Sequence, residues 1–205
     1  METFVKGKPK YNTDHFKTFA EIHEMAEKPG WIGKTISLKD SHYLNWENLK
    51  TNVIKSTQLI DKYLAAYLPN YYYTFEEGEN EKSKSVVYFM EEVEGDRSLP
   101  PAKEVDNFFA ACCQMFIDTT VKGESFMVDI NKIENLIYGH TNDKHQSKLY
   151  FVDFFPFHLS SSLQSRTIGK ILQSLSEFAK IYGESSFPKT KALIGLLNQL
   201  EYSVA

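Results

Sequence analysis

Three polar side chains interrupt apolar segments in the second half of the chain and are the strongest candidates for chemistry. Asp129 follows FMV, Asn135 lies in IENLI, and Asp153 lies in YFVDFF, so each stands where a predicted strand begins or ends. A hairpin over 133–153 would bring Asn135 and Asp153 side by side. Two oxygen-bearing side chains, with a second carboxylate six residues earlier, suit Mg²⁺, which keeps most of its waters and binds one or two protein carboxylates together with phosphate oxygens.

Each carboxylate also has a purely structural interpretation. Asp153 could close a strand turn, and Asp129 could cap the backbone of the loop that follows it. The metal-binding interpretation therefore depends on whether the oxygen donors, which are separated along the chain, come together around one cation.

The elements that must position these residues form two groups of strands separated by a helix. We predict a helix from Thr13 or Asp14 to about Lys28, a strand at WIGKTISLK, a helix Leu44–Leu68, a hairpin of YYYTFEE with KSVVYFMEEVEG, a helix Glu104–Thr120, strands at SFMVDI, ENLIYG and KLYFVDF, and helices Leu163–Tyr182 and Thr190–Tyr202. This order favours an α+β chain with two layers or lobes over a doubly wound parallel sheet. The polar segment EEVEGDRSLPP, with its Gly and Pro, is the predicted hinge.

Composition excludes several classes of partner. The 23 Lys and Arg residues are outnumbered by 27 Asp and Glu residues, which gives a formal charge of −4 and no reason to expect a nucleic acid partner. The N-terminus lacks the apolar core of a signal peptide, and no apolar run approaches the roughly 20 residues of a membrane span, so no membrane partner is expected. Cys112 and Cys113 lie in an apolar helical pattern and are expected to be reduced core residues.

In its second half the sequence resembles the protein-kinase-like fold. DINKIENLIYG followed by KLYFVDFFP is similar to that family's catalytic loop, His-Arg-Asp-x-x-x-x-Asn, and to the Asp-Phe-Gly that follows it. SVVYFMEEVEGDRSL resembles the last strand of the small lobe and the hinge. The resemblance implies a single two-lobed kinase-like domain over 1–205, with 1–92 corresponding to the small lobe and 93–205 to a reduced C-lobe.

The resemblance also implies roles for individual residues. Asp129 would be the catalytic base, Asn135 and Asp153 would bind Mg²⁺, and Lys39 at the end of TISLK would contact the nucleotide phosphates. Gln58 stands near the position of that lysine's usual glutamate partner. The backbone of the hinge, at Glu91, Glu92 and Val93, would hold the adenine of ATP.

The implied activity is that of a minimal, atypical bacterial kinase, an ATP- and Mg²⁺-dependent phosphotransferase acting on a hydroxyl group. A protein Ser/Thr substrate is expected first. Such a protein would act in the cytoplasm of the producing cell, or in the host cytosol if it is a secreted effector.

Departures from the family pattern leave a second hypothesis open. The spacing from Asp129 to Asn135 is one residue longer than in the family loop, Met127-Val128 replaces His-Arg, and no Gly-x-Gly-x-x-Gly occurs in the chain. The alternative is a pseudokinase or a non-catalytic protein-interaction domain on the same scaffold.

Overall fold

The computed structural model describes residues 6–9, 21–38, 45–80, 83–96, 98–128, 135–153, 156–159 and 164–204. Helices and strands are mixed along the chain, and the strands pair with antiparallel neighbours where their registers are known, which makes this an α+β protein. The elements are β1 Lys6–Pro9, β2 Glu21–Met25, β3 Trp31–Ser37, α1 Trp46–Leu64, β4 Tyr71–Glu76, β5 Ser85–Glu91, β6 Val93–Gly95, α2 Ala102–Val121, β7 Ser125–Val128, β8 Leu136–Thr141, β9 Lys144–Phe151, β10 Pro156–Leu159, α3 Gln164–Tyr182 and α4 Pro188–Val204.

The largest sheet has five strands in the order β1-β2-β3-β5-β4. The strand β5 pairs with β3 on one side and β4 on the other, and all seven of its residues are buried. On α1, apolar residues spaced three or four apart are buried, as expected for an amphipathic helix: Trp46, Leu49, Val53, Ile60 and Leu64. Trp46 also donates its indole N–H to Glu77 Oε1 at 2.9 Å, which satisfies the polar atom of a buried ring.

The remaining strands form two small sheets. One pairs β7 with β10, and the other has the order β6-β8-β9. The helix α2 has Phe108 and Phe109 fully buried, and the ring of Phe108 contacts those of Tyr67 and Phe151. Burial of such aromatic side chains supplies much of the stability of a core.

The chain forms two compact units. The first comprises 1–54, 69–94 and 140–145, and the second comprises 55–68, 95–139 and 146–205, as far as residues in these ranges are described. The helix α1 and the β8–β9 hairpin therefore each contribute residues to both units. The predicted lobes, 1–92 and 93–205, stay a prediction about domain organisation.

Several local predictions are confirmed. The helices α1, α2, α3 and α4, the strand β3, and the β4–β5 and β8–β9 hairpins lie where their sequence patterns placed them. Cys112 and Cys113 are unpaired thiols with no exposed surface. Among the described residues, no helix combines the length and the apolar character that crossing a membrane would require.

The helix predicted up to Lys28 is wrong over its last part, where the structure has the strand β2. Residues 13–20 of that prediction lie outside the described residues. The segment EIHEM contains good helix formers, but pairing with β3, in which Glu21 is opposite Thr35, determines its conformation. Two short strands were not predicted: β6 lies within the proposed hinge, and β10 follows Phe155. Segments of three or four residues carry too little periodicity to be found from sequence.

Candidate metal and nucleotide site

Asn135 and Asp153 lie side by side at the open end of the β8–β9 hairpin. Asn135 directly precedes β8, and Asp153 comes two residues after the end of β9. The backbone N–H of Val152 donates to the carbonyl oxygen of Asn135 at 2.9 Å, which fixes the register at this end. The side-chain amide of Asn135 then donates to Asp153 Oδ2 at 3.3 Å. The juxtaposition expected from the sequence is therefore present.

The buried end of β9 holds this pair in place. Leu149, Tyr150 and Phe151 are at most 1% exposed, and the Phe151 ring packs 5.6 Å from that of Phe108 on α2. Glu104, also on α2, accepts the backbone N–H of Leu149 at 3.0 Å. Asp153 follows this anchored segment directly and is half-buried, as is Asn135.

The side chains of Asn135 and Asp153 suit a hard cation that takes few of its ligands from the protein. The 3.3 Å contact uses the amide nitrogen of Asn135 and one carboxylate oxygen of Asp153. Rotation of the amide would present its oxygen instead, so the pair could offer amide and carboxylate oxygens. Among the described residues, no three His, Cys, Asp or Glu side chains lie close enough together to hold a metal. The described part of the chain therefore has no metal site built from three or more such ligands. Mg²⁺ needs only one or two protein carboxylates when phosphates and water supply the rest.

Two of the predicted site residues, Asp129 and Lys39, lie outside the described residues. Their described neighbours are well anchored. β7 ends at Val128, which is 2% exposed and pairs with Pro156 of β10. β3 ends at Ser37, and Leu38 after it is 7% exposed and donates its N–H to the carbonyl of Lys84. The roles of Asp129 and Lys39 stay predictions.

Gln58 lies on an exposed position of α1, in the second unit. No described residue forms a hydrogen bond with its side chain. One turn earlier, Lys55 forms an ion pair with Glu124 at 2.5 Å. The contact of Gln58 with a nucleotide stays a prediction.

The three hinge positions belong to the first unit, and two of their N–H groups are already used. The N–H of Glu91 donates to the carbonyl of Asn70 at 3.0 Å, and that of Glu92 donates to the carbonyl of Gly30 at 2.8 Å. A nucleotide base at these two positions would therefore have to use carbonyl oxygens. Val93 begins β6 and is half-buried.

The side chain of Glu91 is part of a polar cluster that the sequence did not indicate. It is 3% exposed, and Asn70 donates to it through its side-chain nitrogen at 2.8 Å and its backbone N–H at 3.2 Å. Burial raises the pKa of this carboxyl, but hydrogen bonds from Asn70, with smaller contributions from Asp143 and Thr141, lower it to below its ordinary value. Asp143 stands in a polar turn, where a carboxylate gives no sequence signal.

No protein-family model and no curated protein sequence matches the chain. Two solved structures of WbdD, a bifunctional kinase-methyltransferase, are similar to it. One has a TM-score of 0.40 at 10% identity and the other a TM-score of 0.42 at 12% identity, and both matches cover 97% of this chain. They cover 47% and 46% of the WbdD chains, so this chain spans about half the length of those proteins.

Proposed function

We propose that this protein is an ATP- and Mg²⁺-dependent phosphotransferase of the protein-kinase-like type, which transfers the γ-phosphate to a hydroxyl group. The observation that carries the proposal is the contact of Asn135 with Asp153 at 3.3 Å, at the end of a hairpin whose sequence resembles the metal-binding segment of that family. The order of elements also supports it, since a buried strand, a short connection and a buried helix (β5, β6 and α2) precede this hairpin.

The proposed reaction needs few protein groups. Mg²⁺ bound with the nucleotide would neutralise charge on the phosphates. Asp153 and Asn135 would hold that cation, and Lys39 would contact the phosphates. Asp129 would accept the proton of the attacking hydroxyl while its oxygen bonds to the γ-phosphorus and the bond to the bridging oxygen of ADP breaks. Positioning and charge neutralisation carry most of the rate in such transfers.

The finer parts of the proposal concern organisation and substrate. Residues 1–92 would form the small lobe and 93–205 a reduced C-lobe of one kinase-like domain. The adenine would contact the backbone at Glu91, Glu92 and Val93, and Gln58 would lie by the phosphate-binding lysine. The acceptor we propose is a serine or threonine hydroxyl of a protein.

One observation favours a second candidate, a pseudokinase or interaction domain that lacks phosphate transfer. The Asn135 amide already donates to the Asp153 carboxylate, so this half-buried group is hydrogen-bonded without a cation. If this hydrogen bond always occupies the Asp153 carboxylate, the protein would keep the kinase-like fold but would not transfer phosphate.

The test is turnover of ATP labelled in the γ-phosphate, with the chain itself and a generic acceptor protein as substrates. We expect Mg²⁺-dependent transfer by the wild type and a loss of at least about 10²-fold in Asp153→Asn. Glu184→Gln, which removes the same charge at an exposed position, is the matched control and should keep the wild-type rate. Equal rates in Asp153→Asn and the control would overturn the proposal. Absence of transfer by the wild type and by both variants would favour the second candidate.

A further inference from the structure

Glu104 stands where a helix normally uses a glutamate to cap itself, but the start of its own helix offers it no donor. Pro101 is the N-cap of α2, and Glu104 comes three residues later, at the position whose carboxylate accepts the N-cap backbone N–H in a capping box. Proline has no backbone N–H, so that bond cannot form here. The Glu104 carboxylate instead accepts the backbone N–H of Leu149, on β9, at 3.0 Å.

This hydrogen bond lies at the edge of a small sheet. The order of the sheet is β6-β8-β9, so among the described strands β9 has a neighbour on one side, and every second N–H of β9 points away from that neighbour. Leu149 is 1% exposed, and a backbone N–H buried in this way needs an acceptor within the protein. Glu104 thus supplies, from α2, the acceptor that a further strand would otherwise provide.

A second side chain attaches the same part of β9 to the helices. Lys148 donates from Nζ to the carbonyl oxygen of Ala66, just after α1, at 2.7 Å. That bond is exposed, whereas the bond from Leu149 to Glu104 is partly buried, so we expect Glu104 to contribute more to the position of β9. Both bonds lie within the second unit, which also contains the Asn135–Asp153 pair.

We propose that Glu104 is a positioning residue for the Asn135–Asp153 pair and that it acts through its acceptor oxygen, not through its charge. The inference rests on the proposed function of that pair as a Mg²⁺ site. Asp153 comes only four residues after Leu149, and between them the N–H of Val152 donates to the carbonyl oxygen of Asn135 at 2.9 Å. Over so short an extended segment, a displacement of Leu149 also displaces the Asp153 carboxylate.

The chain offers a matched control for this inference. Asp106 lies two residues after Glu104 on α2 and also accepts a backbone N–H from another element, that of Thr190 on α4, at 2.9 Å. Asp106→Ala therefore removes the same kind of bond from the same helix, toward α4 instead of β9. Glu104→Ala and Glu104→Met both remove the acceptor oxygen, and the second keeps most of the side-chain volume if the first fails to fold. Glu104→Gln removes the charge and keeps an oxygen that can accept the bond.

Hydrogen exchange of the Val152 N–H, followed by NMR on the nucleotide-free protein, tests the positioning independently of any activity. We expect Glu104→Ala and Glu104→Met to accelerate this exchange at least about tenfold, because the end of the hairpin opens more often. Glu104→Gln and Asp106→Ala should stay within about twofold of the wild type. Equal acceleration in Glu104→Met and Asp106→Ala would overturn the inference, and so would Glu104→Gln exchanging as fast as Glu104→Met.

The Mg²⁺ dependence of phosphate transfer tests the consequence for the site. At fixed ATP, and at a temperature where every variant is folded, we expect Glu104→Met to need about 10–100-fold more Mg²⁺ for half-maximal transfer, the usual loss when a residue that orients a metal ligand is removed. Glu104→Gln and Asp106→Ala should keep the wild-type value. An active Glu104→Met with unchanged Mg²⁺ dependence would overturn the inference. If the wild type transfers no phosphate while Val152 exchange responds as expected, the proposed function fails and the positioning role of Glu104 stands.

Discussion

Asp106 and Glu91 are the two most buried carboxyl groups of the described residues, at 4% and 3% exposed, and neighbouring N–H or O–H groups hold both. Asp106, on α2, accepts the backbone N–H groups of Lys189 at 3.2 Å and Thr190 at 2.9 Å, and the Thr190 hydroxyl at 2.8 Å. These N–H groups belong to the first turn of α4, where no intrahelical acceptor exists for them. A side chain from one helix thus caps the start of another.

We predict that Asp106→Ala lowers the free energy of unfolding by about 2–4 kcal/mol, because it leaves buried donors without an acceptor. Thr190→Val, which removes only the hydroxyl, should cost about 1 kcal/mol. Urea unfolding of both variants and of the double variant measures these costs. Additive losses would contradict the account, since the two side chains share one network.

The sequence predicted the contact of Asn135 with Asp153 but not the contact of Asp106 with Thr190, and the difference has a physical reason. Asn135 and Asp153 are brought together by a hairpin, whose strands pair locally, so their contact could be predicted from the turn and the apolar runs. Asp106 and Thr190 are 84 residues apart, and only the packing of α2 with α4 brings them together.

At the scale of elements, the turn between β2 and β3 depends on a glycine. Gly30 has φ of +79°, in the left-handed region that favours glycine, and it packs against Asn142. Gly183, after α3, has φ of +84°, but apart from its chain neighbours no described residue has an atom within 4 Å of the Cβ that an alanine would add. Substituting each of these two glycines by alanine therefore distinguishes the cost of backbone strain from the cost of a steric contact.

We predict that Gly183→Ala costs about 1 kcal/mol, from backbone strain alone, and that Gly30→Ala costs about 1–3 kcal/mol. Adding Asn142→Ala to Gly30→Ala should recover the difference, because it removes the side chain that the new methyl group meets. Denaturant unfolding measures all three. Equal costs for the two glycine variants would show that the contact with Asn142 does not contribute to the loss of stability.

The long helices were the most predictable elements and the short strands the least. The apolar stripe of α1, from Trp46 through Leu64, repeats over many turns and identifies the helix without tertiary information. The strand β2 has only five residues, and its pairing with β3 overrides a local preference for helix. β10 has four residues, begins with a proline and pairs with β7, so its own sequence does not identify it as a strand.

At the scale of the whole molecule, the α+β class predicted from the order of patterns is confirmed, while the strand order β1-β2-β3-β5-β4 was beyond prediction. Sheet order depends on contacts far apart in sequence, which single-sequence patterns do not encode.

Global stability should fall in alkali. Burial raises the pKa of Cys113 to about 12, and it also raises the pKa of Cys112 well above its ordinary value of 9.0. The folded protein therefore keeps both thiols neutral at pH values where the unfolded chain ionises them. The stabilisation is fully present below about pH 9 and is lost as the pH rises toward 12.

We predict that the free energy of unfolding falls by about 1 kcal/mol per thiol between pH 8 and pH 10. Urea unfolding in the presence of a reductant measures it, and Cys113→Ala should flatten the slope relative to the wild type. A wild-type stability that does not change over this range would contradict the burial of ionisable thiols in the fold.

Equilibrium binding of ATP, measured by thermal unfolding with and without Mg²⁺, tests the central claim most directly. We expect ATP with Mg²⁺ to stabilise the wild type by about 2.7 kcal/mol at 100 times the dissociation constant. We expect no such stabilisation by ATP alone, or by ATP with Mg²⁺ in Asp153→Asn. If Asp153→Asn is stabilised as much as the wild type, Asp153 holds no cation on the nucleotide and the account is wrong.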